Sequence, residues 1–276
     1  LDADILALQD VKAEEVMRVP DASFVNSLSG KVAGVTINSS ASGIGGSTRV
    51  VMRGEKSLNP NGNNNALYVL DGIPLPNLFS SSSVSSNGVY GGKDGGDGIS
   101  DINPEDIESI SVLTGASSAA LYGGMAANGA ILVNTKSGNK EHLKINLSST
   151  SSFYNTFVLP DFQNTYGTSS PGSFDSWGTK LGTASKNNPK DFFQTGTNLL
   201  NSVSMSTGGN KSQTYFSAGS NNANGIISNN KYNRYNITLR HKTDITDRIS
   251  LDATAMYIQA KNQNMLSQGQ YLNPLV

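Results

Sequence analysis

Hydrophobic residues in the first half of the chain fall into short runs separated by turn residues. The runs are rich in Val, Ile and Leu, and their length of about four to eight residues is typical of strands. Helical signals lie between them, so residues 1–138 predict a small α+β domain. The predicted strands are residues 33–38, 48–54, 66–72, 109–115 and 130–136.

Two helix starts are predicted in this half. Asp21 is a candidate N-cap, apolar residues 24, 25 and 28 share one helical face, and Gly30 offers a C-cap. Asn103 is a second candidate cap, because Pro104 occupies the first helical position and acidic residues follow in the first turn. We therefore expect one helix between Asp21 and Gly30 and another that begins at Pro104.

The second half of the chain alternates apolar and polar residues with a period of two. Residues 143–157, 234–240 and 249–257 each place apolar side chains on one face and polar ones on the other. Turns are predicted at 208–211 and 244–248. The strands run about 9–13 residues, whereas globular strands usually have about 5–6. This pattern is typical of an outer-membrane β-barrel, but a soluble β-sandwich also alternates.

The number of long strands limits what this half can form. About five or six strands follow residue 139, whereas a barrel that encloses another domain needs about 22. We therefore expect residues 139–276 to be the first strands of an incomplete barrel. No run approaches the roughly 20 apolar residues of a membrane-spanning helix.

Composition excludes several function classes. The net charge is −1, from 20 basic and 21 acidic residues, which gives no electrostatic reason to expect a nucleic acid partner. Cysteine is absent, so disulfides, Cys nucleophiles and thiolate metal sites are excluded. Only two histidines occur, far apart in sequence. A His-dependent triad or metal site is therefore not expected.

The sequence contains no complete P-loop motif and no complete esterase nucleophile elbow. Neither Gly30–Lys31 nor Gly92–Lys93 has the preceding glycine or the following Ser or Thr of a P-loop. The sequence GASSA lacks the last glycine of an esterase elbow. We expect a protein that is not an enzyme. The small residues of segment 109–138 then suit close backbone packing within a confined space.

A glycine-rich loop, residues 91–101, carries the only candidate metal ligands. Asp94, Asp97 and Asp101 could together bind Ca²⁺ through carboxylate oxygens. The loop lacks a closing bidentate Glu, so a mobile loop without metal is the alternative. No other cofactor is expected.

Three blocks of the first half together resemble a known family. They are SLSGKVAGVTI (27–37), TRVVMRGEKSLNPNGNNNALYVLDGIPL (48–75) and DINPEDIESISVLTGASSAALYGGMAANGAILVNTKSG (101–138). Over about residues 20–138, the chain resembles the plug domain of SusC/RagA-like TonB-dependent transporters. The alternating strands begin where the barrel of that family begins.

The resemblance implies a fold and a set of partners. It implies a barrel of about 22 strands in the outer membrane of a Gram-negative cell, in contact with lipid, with the plug inside its lumen. A SusD-like lipoprotein would cap the barrel, and TonB–ExbB–ExbD would pull on a segment before the plug. The substrate would be a glycan, an oligopeptide or another large nutrient.

The resemblance also suggests three regions. Residues 1–20 are an N-terminal segment leading from the TonB-interacting region, without a convincing copy of the segment that TonB grips. Residues 21–138 are the plug domain, and residues 139–276 are the first barrel strands. Within the plug, charged residues at strand ends and turns are interpreted as structural: Arg53, Glu55, Asp71 and Glu105.

Candidate contact residues fall into two groups. The long insertion between Asp71 and Asp101 is a candidate substrate-facing loop, although a flexible loop without ligand contacts fits equally. Polar residues of the barrel strands are expected to face the lumen and to touch the plug, the substrate or only solvent. The loop candidates are Phe79, Asn87, Tyr90 and Asp94, and the lumen candidates are Lys144, Asn146, Arg234, Asn236 and Arg240.

Energised import across an outer membrane is the leading functional hypothesis, with the plug as the gate of the lumen. A transporter-like receptor that signals occupancy to the periplasm is one alternative. A secreted, β-rich, glycan-binding protein is another.

Overall fold

The computed structural model describes most of the chain. Two bodies are in contact, a small α+β domain and a sheet of long antiparallel strands, which confirms the fold class that the sequence predicts. Among the described residues, no helix is long and apolar enough to cross a membrane. The described residues are 8–12, 21, 23–40, 42–57, 64–75, 94, 96–139, 142–159, 161, 163–173, 175–185, 189–209 and 211–266.

The α+β domain, called the plug below, contains two sheets. A five-stranded sheet has the order β1-β6-β7-β4-β5, and β2 pairs with β3 in a separate two-stranded sheet. Among the described strands, only β4 and β7 pair in parallel. The strands are β1 (Leu8–Lys12), β2 (Val35–Ser39), β3 (Thr48–Met52), β4 (Leu67–Leu70), β5 (Ile73–Leu75), β6 (Ile107–Leu113) and β7 (Ala130–Thr135).

The described helices of the plug are short. The helix α1 (Ala116–Tyr122) and the 3₁₀ turns Asn26–Leu28, Pro104–Asp106 and Gly123–Ala126 connect the strands. Gly129 shows why segment 109–138 is rich in small residues: its φ is +105°, and an added Cβ would collide with the Met52 side chain. The glycines and alanines of this segment therefore serve close packing, as the sequence suggests.

The helix predicted between Asp21 and Gly30 is wrong. Among the described residues of this segment, only the turn Asn26–Leu28 is helical. The Asp21 carboxylate accepts hydrogen bonds from the Ser23 amide (3.1 Å) and from the Asn26 side chain (3.3 Å). Such local side-chain bonds compete with helix propagation. The apolar residues of the predicted face are still buried, in the core of the plug.

Two other features of the plug differ from or refine the prediction. Asn103 does act as a cap, because its side-chain oxygen accepts a bond from the Glu105 amide at 3.2 Å, but the helix is a single 3₁₀ turn. Strand β1 lies within the segment assigned above as a leader to the plug. It pairs with β6 along its whole length, and Val11 joins the core at 3% exposure.

The long strands form one antiparallel sheet, called the wall below. Its order is β12-β11-β10-β9-β8, so each strand pairs with its neighbours in sequence. Tight turns join β9 to β10 and β11 to β12, whereas the longer connections, residues 155–195 and 225–230, lie at the opposite end of the sheet. The strands are β8 (Lys144–Tyr154), β9 (Gly196–Gly208), β10 (Ser212–Asn224), β11 (Lys231–Thr246) and β12 (Ile249–Gln263).

The two faces of the wall have opposite chemistry. The face that covers the plug buries Ser, Thr, Asn, Tyr and Arg side chains, and the other face exposes large apolar ones. A soluble β-sandwich would bury its apolar face instead. The exposed apolar residues of the wall include Ile145, Leu147, Phe153, Leu199, Met205, Tyr235, Ile237, Leu239, Ile245, Leu251 and Tyr257.

Candidate functional site

The contact between plug and wall is the candidate functional site. Residues 99–106 of the plug, called the contact strip, lead from the glycine-rich loop into β6 and lie against strands β8–β11. Side chains of the wall reach the strip from four adjacent strands. The alternation of each strand decides which side chains point inward, because successive residues face opposite sides of a sheet.

Asp106 lies at the centre of this contact. Its carboxylate accepts hydrogen bonds from three wall hydroxyls: Tyr215 at 2.9 Å, Ser217 at 2.9 Å and Thr238 at 3.1 Å. Burial raises the pKa of Asp106, and the three hydroxyl bonds and the charge of Lys136 oppose that rise. The carboxylate is therefore solvated by the wall in place of water.

Arg234 is fully buried beneath the start of the strip. Its Nη1 donates to the Ser100 carbonyl, and Asn236 donates to the Asp101 carbonyl at 2.6 Å. The Tyr232 hydroxyl donates to the Asp101 carboxylate at 3.3 Å. Burial raises the pKa of Asp101, and the positive charge of Arg234 opposes the rise. These wall side chains therefore satisfy plug backbone groups that no strand pairs.

Asn103 and Glu105 bond to the strands β9 and β8, on the same face of the wall. Asn103 Nδ2 donates to Ser202 Oγ at 3.0 Å, and Ser148 Oγ donates to Glu105 at 2.9 Å. Gly219 makes room for Asn103, since an added Cβ would lie 2.8 Å from Asn103 Nδ2. The interface is thus closely fitted as well as polar.

Arg240 makes the ionic contact between the two bodies. Its Nη1 lies 3.6 Å from Asp71 Oδ1 and donates to the Thr135 carbonyl at 3.2 Å. Its other nitrogens donate to Asp252 of β12 at 3.0 and 3.1 Å. Asp71 has a φ of +47° and accepts bonds from the amide and hydroxyl of Thr135 at 2.9 and 2.7 Å. A cavity of about 460 Å³ adjoins this cluster. Water can therefore reach these side chains when the plug and the wall separate.

The candidates from the barrel strands occupy different environments. Arg234, Asn236 and Arg240 all bond to the plug. Lys144 and Asn146 lie on the same face of β8 but are exposed, and Asn146 Nδ2 is 3.5 Å from Ser204 Oγ.

The candidate substrate-facing insertion between Asp71 and Asp101 is described only in part, and Phe79, Asn87 and Tyr90 lie outside the described residues. Asp94 is described, and its carboxylate accepts bonds from the amide and hydroxyl of Ser47, both at 2.8 Å, and from the Gly96 amide at 2.9 Å. Burial raises its pKa, but bonds from Ser40, Gly96 and Ser47 together lower it below the usual value. Asp94 therefore holds residues 40–47 in place.

The three aspartates of the glycine-rich loop serve separate contacts. Asp97 accepts bonds from the Thr48 and Ser100 amides at 2.9 and 3.0 Å, and burial raises its pKa. Within the described residues, no group of three or more His, Cys, Asp or Glu side chains could hold a metal ion. A Ca²⁺ site at Asp94, Asp97 and Asp101 stays a prediction, since residues 91–93 and 95 of the loop lie outside the described residues.

A second cavity, of about 290 Å³, lies between the plug and the wall at the end with the long connections. Plug residues 39, 40 and 43–46 form one side. Tyr154, Asn198, Asn230 and Tyr232 of the wall region line the other side. It is called the outer cavity below.

Sequence reasoning missed Asp106, and it interpreted Asp71 only as a turn residue. Both make their main wall contacts with residues more than a hundred positions away. Alternation along β10 puts Tyr215 and Ser217 on one face of their strand, but nothing local indicates which plug residue faces them.

Comparisons with known proteins agree with this architecture. The family described as TonB-dependent Receptor Plug Domain matches residues 4–130. TonB-dependent receptor SusC of Bacteroides thetaiotaomicron is 29% identical over 265 residues, which cover 92% of this chain and 24% of SusC. TonB-dependent receptor P39 of Formosa agariphila is 28% identical over 260 residues, covering 90% of this chain and 23% of that protein.

Solved structures show the same fold. The RagAB peptide importer in its closed-closed state superposes with a TM-score of 0.72 and 20% identity, covering 93% of this chain and 31% of the matched one. Its open-open state gives a TM-score of 0.70.

Residues 4–130 match the TonB-dependent receptor plug family, and the plug and the long strands after it have the fold of the matched RagAB chain. Among curated proteins, the chain is similar to TonB-dependent receptors such as SusC. It spans about a quarter of the length of the curated relatives it matches, 24% for SusC. These relatives are named receptors, which is consistent with the expectation of a protein that is not an enzyme.

Proposed function

We propose that the complete protein imports a large nutrient, a glycan or an oligopeptide, across the outer membrane in a TonB-dependent manner. The observation that supports this most directly is the polar contact between plug and wall. A gate that must move and return needs contacts that water can replace. Hydrogen bonds to hydroxyls, amides and carbonyls meet that need, since each contributes only about 0.5–1.5 kcal/mol net.

The chemistry of the wall supports placement in the outer membrane as a multi-pass β-barrel. Its apolar side chains face away from the plug and are exposed, as they are in barrels that contact lipid. Such barrels have short periplasmic turns and longer extracellular loops. The turns after β9 and β11 would then be periplasmic, and the outer cavity would lie towards the cell exterior.

The proposed partners follow from the relatives. SusC and the RagAB importer support a SusD-like lipoprotein as the outer lid and TonB–ExbB–ExbD as the energy source. Strand β1 is the described element nearest the N-terminus, and it lies at one edge of the plug sheet with β6 as its partner. A pull on the preceding residues would act on β1 first, while bonds to the wall retain the contact strip.

The test is purification of the native protein from outer membranes, followed by nutrient uptake with and without TonB. We expect extraction only with detergent, a lipoprotein that co-purifies, and uptake that stops when TonB is deleted. Normal uptake by a strain that lacks the protein, with loss of a transcriptional response, would favour the signalling receptor. A soluble species would contradict the proposal.

A further inference from the structure

The outer cavity is formed by plug and wall together. From the plug, residues 39–46 contribute a loop closed by the Ser40 amide, which donates to the Ser47 carbonyl at 3.1 Å. Asp94 fixes the same loop through Ser47. From the wall, Asn198 and Tyr232 contribute side chains. Because the loop is held by several bonds, the cavity is preformed, as small-molecule sites usually are.

Asn198 supplies the first indication of a ligand. It is 2% exposed, it lines the outer cavity, and its Oδ1 accepts no hydrogen bond from any described residue. A buried amide oxygen without a partner costs about 1–3 kcal/mol. An O–H or N–H donor that enters the cavity would remove that cost, so Asn198 favours a ligand that carries such donors.

The remaining lining favours an uncharged ligand. Asp21 is the one charged residue among those that line the cavity, and its carboxylate is already bonded to Ser23 and Asn26. The other polar groups are hydroxyls and amides, beside aliphatic side chains such as Ile44 and Ile227. An anionic group placed here would lose water without gaining an opposite charge, and a cationic group would meet only the Asp21 carboxylate, which already accepts two hydrogen bonds.

The lining also distinguishes a sugar from a peptide. Extended peptides commonly bind by adding a strand to a free sheet edge. Asn198 and Tyr232 lie on β9 and β11, which are paired on both sides, so the wall offers side chains and no free edge. Hydroxyls, amides and tyrosine rings next to aliphatic groups fit a ring with hydroxyl substituents and apolar C–H faces. The volume of 290 Å³ lies at the lower end of ligand sites, about 300–1,000 Å³, and suits one ring-sized unit.

We propose that the outer cavity is a subsite for a single uncharged sugar unit of a glycan substrate, bound by plug and wall together with Asn198 Oδ1 as an acceptor. This inference rests on the proposed import function and narrows its substrate class to neutral glycans. Because the plug loop forms one side, movement of the plug dismantles the subsite and releases the sugar.

The test uses the full-length transporter in detergent. An array of neutral oligosaccharides of four to eight units, and an array of uncharged peptides of similar length, are screened for binding. The best probe is then titrated by calorimetry against Asn198→Leu and Asn201→Leu. Both replace Asn on β9, but residue 201 lies on the opposite face of the wall. We expect an oligosaccharide to bind, Asn198→Leu to weaken it about tenfold, equivalent to about 1.4 kcal/mol, and Asn201→Leu to leave it unchanged.

A second variant, Ile227→Trp, fills the cavity from a loop position that is 8% exposed. It should also weaken oligosaccharide binding, and thermal unfolding of each variant monitors folding. Oligosaccharide binding that neither cavity variant alters would overturn the subsite and leave import intact. Selective binding of peptides would overturn the sugar assignment. Binding of neither array overturns the subsite, and the TonB-dependent uptake assay then decides separately whether import stands.

Discussion

At the scale of single residues, Asp106 decides how the plug fits the wall. Alanine at this position would leave Tyr215, Ser217 and Thr238 without their acceptor, at a cost of about 1–3 kcal/mol. Asparagine keeps one acceptor oxygen, and its NH₂ can donate to a hydroxyl. We expect hydrogen exchange in residues 99–106 of the full-length protein to accelerate about tenfold or more in Asp106→Ala, and much less in Asp106→Asn. If both variants accelerate exchange equally, the hydrogen bonds that the Asp106 side chain accepts do not hold the contact strip in place.

The pH dependence of this contact follows from the raised pKa of Asp106. A carboxyl whose pKa is higher in the folded state stabilises that state fully below its unfolded pKa, about 3.9. That stabilisation is lost as pH rises through the folded pKa. We therefore expect exchange in residues 99–106 to accelerate as pH rises above the normal Asp range, after correction for intrinsic exchange. Asp101 in the same segment also has a raised pKa, so Asp106→Asn should reduce this step without abolishing it, and a step of unchanged size in the variant would contradict the assignment.

Gly219 tests the close fit of the same contact. Alanine would bring a methyl group to 2.8 Å from Asn103 Nδ2, so Asn103 must move and lose its bond to Ser202. We expect Gly219→Ala to accelerate exchange at residues 103–106. Gly209→Ala is the matched control, since an added Cβ there meets nothing within 4 Å. If both variants behave alike, the contact tolerates a methyl group and is looser than the structure indicates.

At the scale of elements, Arg240 of β11 forms ion pairs with Asp71 of the plug and with Asp252 of the wall. Removing the charge of Asp252 leaves Asp71 as the remaining carboxylate partner identified, so Asp252→Asn should tighten the plug. Asp71→Asn should loosen it, while asparagine tolerates the positive φ. Partly exposed pairs contribute about 0.2–1 kcal/mol, so opening measured by bilayer conductance should change by up to about fivefold. The two variants should change the frequency of opening in opposite directions. If both change it in the same direction, Arg240 is not shared between Asp71 and Asp252.

The sequence predicted elements better than the contacts between them. The alternation around Tyr235, Ile237 and Leu239 is a local property of the sequence. The structure shows the same alternation, because the other face of the strand packs against the plug. The helix predicted after Asp21 failed because its own polar side chains bond locally. Asp106 and Tyr215 lie 109 positions apart, and no local pattern encodes which inward residue meets which plug residue. Pairing of that kind is fixed only when plug and wall assemble.

At the scale of the whole molecule, the wall separates two environments: a polar plug and an apolar exterior. Depth along one outward face tests the proposed membrane position. Ile237 and Ile245 both lie on the apolar side of β11, 48% and 61% exposed, but Ile245 is close to the short-turn end. An arginine on the lipid face costs about 2–4 kcal/mol at the midplane and about 0–1 kcal/mol near the interface.

We therefore expect Ile237→Arg to reduce the assembled fraction in outer membranes strongly and Ile245→Arg to reduce it little. The measurement is the heat-modifiable band of the full-length protein on gels, compared with the total protein on the same blot. Residue type and strand are the same in both variants and both side chains are exposed, so depth is the main difference, beside the register shift between Asp244 and Thr246 at which Ile245 lies. If this face contacts water, both arginine variants should assemble to the same extent. The soluble β-rich alternative would then have to be reconsidered. A graded response would instead locate the hydrocarbon boundary between residues 237 and 245, and with it the height at which the contact strip lies inside the barrel.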